Sequence, residues 1–242
     1  MTVAARRRAP LRNHPVVVSA LLLCAVVATN AILYFAGAVW WPGPVIAGAL
    51  LAYARWTGLS WAQLGLARSQ FRRGARWGLM VAAVVASVYA VGVAMPWTRS
   101  AFLDSRYHLS VVRALTTAFI VIPLSTVLVE EVAFRSVLWA ALTRHMTAWK
   151  ALTITSTLFG LWHVLPSLRL ASTNPAIRGA LGATAHATVL AVVGTVLFTT
   201  LGGLVAGELR RRSGSILASV GMHWATNALG IMFGLVAWSL RP

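Results

Sequence analysis

Seven apolar runs, at about 15–37, 39–54, 77–95, 111–143, 149–165, 184–206 and 214–238, leave this chain little polar sequence with which to coat a water-soluble surface. Most reach the roughly 17–25 residues that a helix needs to cross the hydrocarbon core. The runs at 39–54 and 149–165 are short, and the first of them contains Pro42 and Pro44. The run at 111–143 suits one tilted helix or a helix broken near Pro123. The expected fold is an all-α, polytopic membrane helical bundle of about seven transmembrane helices, with six or eight as the neighbouring counts.

Charge supports the same class. The 242 residues carry 21 Lys+Arg against 4 Asp+Glu, a formal net charge of +17. Nucleic-acid binding would cluster the arginines on a polar surface with aromatics between them. Here they border the apolar runs, as the positive-inside rule describes. With the N-terminus inside, 14 of the 21 basic residues fall in cytosolic segments, among them Arg6, Arg7, Arg8, Arg12, Arg68, Arg72, Arg73, Arg76 and Arg210 to Arg212. The chain is therefore expected as a multi-pass protein of the cell (plasma) membrane with a cytoplasmic N-terminus, in contact with membrane lipids and not with nucleic acid. The first run is too long for a signal-peptide core and has no clean cleavage site, so it reads as a retained helix. Residues 55–76 mix Trp, Leu and Phe with five arginines, the pattern of an amphipathic element on the inner leaflet. Residues 1–109 then form N-terminal membrane helices with this basic segment, and 110–238 the core, all in one integral-membrane domain. Cys24 is the only cysteine, which excludes a disulfide scaffold and reads as packing in the first helix.

Two of the four acidic residues stand together in the middle of a membrane run, in FIVIPLSTVLVEEVAFRSVLWAAL. A charge at the bilayer centre costs at least ~2.5–3.5 kcal/mol, so Glu130, Glu131 and Arg135 need partners and a reason. Glu131 and Arg135 are four residues apart, on one face, and can pair. Glu130 points about 100° away and lacks that partner. A purely architectural ion pair explains Glu131 and Arg135 but gives Glu130 no role.

Two further runs bring polar groups to a similar depth. His163 ends FGLWH, four residues after Phe159, and His223 and Asn227 share a face in HWATN. At 1.5 Å per residue, Glu130 and His163 lie roughly 20 Å from the cytosolic ends of their helices and His223 roughly 14 Å. The remaining histidines, His14, His108, His145 and His186, fall at interfaces or in loops without a motif partner, and Asp104 and Glu208 fall in loops. Ser125 and Thr126 sit near Glu130 but lack a Lys or His that would make either a nucleophile.

At these residues the sequence resembles the CAAX prenyl protease type II and bacteriocin-processing (CPBP, or Abi) family of intramembrane glutamate proteases. EEVAFR matches EExxxR, FGLWH matches FxxxH and HWATN matches HxxxN/D, in that order over about residues 110–235. The resemblance implies a peptidase without cofactor or metal, acting on a peptide or membrane-protein substrate. It implies that Glu130 is the general base for water and that His163 helps to hold that water. It makes His223 and Asn227 the oxyanion hole, and Arg135 with Glu131 the fixture of the carboxylate pair. The residues alone agree on that pairing and on the availability of Glu130, and leave open which histidine faces the water.

Three other classes use the same residues. Glu and His side chains could ligate zinc, but HExxH is missing and Arg135 disfavours a dication. A Glu/Arg/His cluster could serve a proton-coupled transporter, though no inverted repeat is visible. A non-catalytic membrane scaffold or immunity protein would keep the motifs for folding alone.

Overall fold

A computed structural model describes residues 15–36, 41–105, 108–168, 170–182 and 184–241. Arg6, Arg7, Arg8, Arg12 and His14 of the basic N-terminal arm lie outside the described residues. The principal helices are α1 (Pro15–Ala36), α2 (Pro42–Trp56), α3 (Arg68–Ala94), α4 (Val111–Leu142), α5 (Ala148–Trp162), α6 (Ala185–Ser213) and α7 (Ile216–Ser239). No strand occurs among the described residues.

Among the described residues, four helices are long and apolar enough to cross a membrane: α3, α4, α6 and α7. The expected count of seven is thus met in length and composition by four. The 15 residues of α2 and of α5 extend only about 22 Å each, short of a core of roughly 30 Å. The surface is that of a membrane protein. Leu79 on α3 and Phe198 on α6 are 72% and 76% exposed, within wide apolar faces that water would not tolerate.

Local chemistry sets the helix limits. Side-chain oxygens of Ser110, Thr147, Thr184 and Ser215 accept from backbone N–H groups in the first turns of α4, α5, α6 and α7. Gly214 closes α6 in the left-handed conformation at φ 76°, and with Ser215 forms the tight turn into α7. Small residues bring the helices close. A Cβ on Gly221 of α7 would lie 2.6 Å from Cα of Gly78 on α3, and one on Gly160 of α5 would lie 2.7 Å from the Val196 carbonyl on α6.

α4 does not break at Pro123. It continues by widening into π-helical turns at Thr117–Val121, Pro123–Val127 and Glu131–Leu138, and α7 does the same at Ala225–Leu229. In three of the four widened stretches a neighbouring helix donates to a carbonyl. Trp224 Nε1 bonds Ala118 O at 3.1 Å, Arg210 Nε bonds Arg135 O at 3.1 Å, and the Tyr89 hydroxyl bonds Thr226 O at 3.0 Å. With no water at this depth, such side-chain donors are what such carbonyls can use.

Residues 55–76 are not one amphipathic element. α2 ends at Trp56, residues 57–67 form turns, and α3 begins at Arg68. The turns are docked into the protein: Leu59 and Leu64 are fully buried, and Ser136 Oγ donates to Leu64 O at 2.8 Å. Cys24 is exposed on α1, not packed. Glu208 is not in a loop. It lies in α6, which runs beyond the apolar run, and it pairs with Arg211 and Arg212.

Candidate active site

The carboxylate pair sits where α4 passes from an α-helical turn, Leu128–Glu130, into the π-helical stretch from Glu131. His223 and Asn227 flank the matching change in α7, and His163 caps the C-terminus of α5. Such helical irregularities are frequent at functional sites because they re-aim side chains within one helix.

Glu131, Arg135, His163, His223 and Asn227 line one cavity of about 200 Å³, walled by Phe159, Phe198 and Met222 among others. Glu131 is fully buried, and its Oε1 lies 3.3 Å from Nη1 of Arg135, the ion pair expected from their spacing. The Arg135 guanidinium also lies 3.8 Å over the Phe159 ring. The same Oε1 lies 2.9 Å from Nδ1 of His223, whose Nε2 lies 3.6 Å from Oε2 of Glu130. One imidazole thus bridges both carboxylates.

Glu130 differs from the free group that its position on the helix suggests. It is buried, it does not line the cavity, and its Oε1 accepts a 2.9 Å hydrogen bond from the Trp162 indole. Its Oε2 has no hydrogen-bond partner among the described residues. Trp162 stands beside His163 in FGLWH, so its neighbourhood was visible in the sequence, but its bond to a residue 32 positions away was not. Arg210 and Tyr89, which bond carbonyls beside the site, carried no sequence signal.

His163 is oriented from its own helix, with Nδ1 2.8 Å from the Phe159 carbonyl. A carbonyl only accepts, so Nδ1 carries the proton and Nε2 of the neutral ring keeps its lone pair. Its ring meets Phe159 edge-to-face at 4.7 Å. The Asn227 amide is half-buried and makes no side-chain hydrogen bond among the described residues. The cavity therefore brings together the His163 and His223 rings, the Asn227 amide and the Glu131 carboxylate, with Oε2 of Glu130 behind His223. Those are the groups needed to bind and polarise a carbonyl beside an activated water.

Residues 112–229 match the family model described as Type II CAAX prenyl endopeptidase Rce1-like, a stretch that contains all six of these residues. No curated protein and no solved structure matches the chain.

Proposed function

We propose that this chain, whose residues 112–229 match the Type II CAAX prenyl endopeptidase Rce1-like family model, is a metal-independent intramembrane endopeptidase. It hydrolyses a peptide bond in a membrane-associated or lipidated peptide or protein. The observation that carries the reading is the convergence of Glu131, Arg135, His163, His223 and Asn227 on one cavity, with the unbonded Oε2 of Glu130 facing His223.

In this reading Oε2 of Glu130, buried beside the cavity, is first opened to it and then takes a proton from water there, while Trp162 holds Oε1 in place. His163 offers Nε2 to the same water. The water oxygen bonds to the carbonyl carbon, the C–N bond breaks, and the proton passes from Glu130 to the leaving nitrogen. His223, with its Nδ1 on Glu131, turns Nε2 toward the developing oxyanion, and the Asn227 amide donates to it. Such a donor is typically worth ~2.7–4 kcal/mol of transition-state stabilisation. Glu131 and Arg135 act as positioning residues for His223.

The same proposal includes a body of seven spans in the plasma membrane, in which α1 and the short α2 and α5, each lengthened by its flanking residues, complete the four long helices and the N-terminus is cytoplasmic. It also includes the division into an N-terminal part, 1–109, and a protease-like core, 110–238. The activity is tested by profiling new peptide termini in membranes that contain either the wild-type chain or Glu130→Gln at equal abundance. Termini present only with wild type support the reading, and identical sets contradict it.

A further inference from the structure

Ser69, Arg72, Arg73, Arg76, Trp77 and Met80 recur every three or four residues along one face of α3 and line a surface hollow of about 550 Å³. Arg72, Arg73 and Arg76 are exposed, and no acidic side chain among the described residues pairs with them. Trp77 also lines a second hollow of about 430 Å³, against Trp149, Leu204, Val205 and Leu209. The acid at its edge, Glu208, is neutralised by Arg211 and Arg212 at 2.6 Å each. A charged cup therefore continues into an apolar slot between α3 and α6.

Depth fits this order. Gln70 at the start of α3 lies beside Gly214 at the end of α6, so the two helix ends are level. Trp77 and Leu204 are each nine residues from those ends, about 13 Å inward, and the arginines lie nearer the membrane face. Guanidinium groups at that level complement a phosphate diester, while a soluble anion has no use for the slot beneath them. We propose that this face binds an anionic phospholipid of the adjoining leaflet, its phosphate on Arg72, Arg73 and Arg76 and one acyl chain in the slot beside Trp77.

The test measures phosphatidylglycerol retained by the full chain, by native mass spectrometry after exchange from nanodiscs of phosphatidylcholine and phosphatidylglycerol. Wild type retains phosphatidylglycerol selectively. Arg72→Gln/Arg73→Gln/Arg76→Gln, folded as judged by an unchanged melting temperature, weakens retention about a hundredfold, from the contribution of three interfacial arginines. Removal of three arginines elsewhere, Arg6→Gln/Arg7→Gln/Arg8→Gln, leaves retention unchanged, and excess inorganic phosphate does not displace the lipid. Equal retention by the first triple variant overturns the site. An equal loss in the second shows diffuse surface attraction instead, and displacement by phosphate shows a plain anion site; either result also overturns it.

Discussion

Nδ1 of His223 lies 2.9 Å from Oε1 of Glu131, across 92 residues of chain. That contact joins α7 to α4 and leaves Nε2 of the same ring turned toward Glu130. The imidazole is held as a catalytic histidine usually is, by a carboxylate at one nitrogen that frees the other for chemistry.

Because Arg135 and Glu131 are both buried, breaking the pair from one side strands a charge. Arg135→Met is expected to lower stability by about 3–5 kcal/mol. Arg135→Met/Glu131→Gln is expected to recover part of that loss, because it removes both charges. Thermal unfolding of the two single variants and the double gives the coupling; additive losses would show that the pair does not interact.

Trp162→Phe retains a ring in the edge-to-face packing against Phe134, at a 5.4 Å centroid distance, but removes the donor to Glu130. A buried carboxylate oxygen without its hydrogen bond costs about 1–3 kcal/mol. The expected outcome is a lower melting temperature together with a fall in kcat larger than any change in KM, since in the proposed mechanism the residue acts by orienting Glu130. A change in KM alone would argue against that role.

The Arg210 guanidinium clasps the docked turns, donating to Arg135 O at 3.1 Å and to Gln63 O at 2.8 Å. Gly65 lies directly against it: a Cβ there would come within 2.5 Å of Arg210 Cζ, and its φ is 74°. Gly65→Ala is expected to destabilise by more than ~1 kcal/mol through both effects. Limited proteolysis should find new cleavage between residues 57 and 67. Unchanged protection would mean that the clasp does not hold this segment.

Chelation separates the proposed chemistry from zinc hydrolysis. Activity is expected to survive dialysis against a strong chelator, with no metal found in the active protein by elemental analysis. Loss of activity on chelation, restored by zinc, would replace the glutamate mechanism with a metal one.

The parts legible in the sequence are those governed by local period and by the cost of charge in a bilayer. The i,i+4 spacing of Glu131 and Arg135 gave their pairing, and the apolar runs gave the helices. The π-helical turns were not legible, because their carbonyls are bonded from other helices by Trp224, Arg210 and Tyr89, far away in sequence. For the same reason Glu130 read as free when Trp162 holds it. The turns at 57–67 read as a surface element because two buried leucines, Leu59 and Leu64, look the same in sequence whether they face lipid or protein.

The most direct test of the account is cleavage of a peptide identified from the terminus profiles, by purified wild-type protein and by Glu130→Gln in the same nanodiscs, with matched melting temperatures. The account predicts hydrolysis by wild type and a loss of at least about a hundredfold in kcat for Glu130→Gln, in line with removal of a general base. Equal cleavage by both proteins would contradict it.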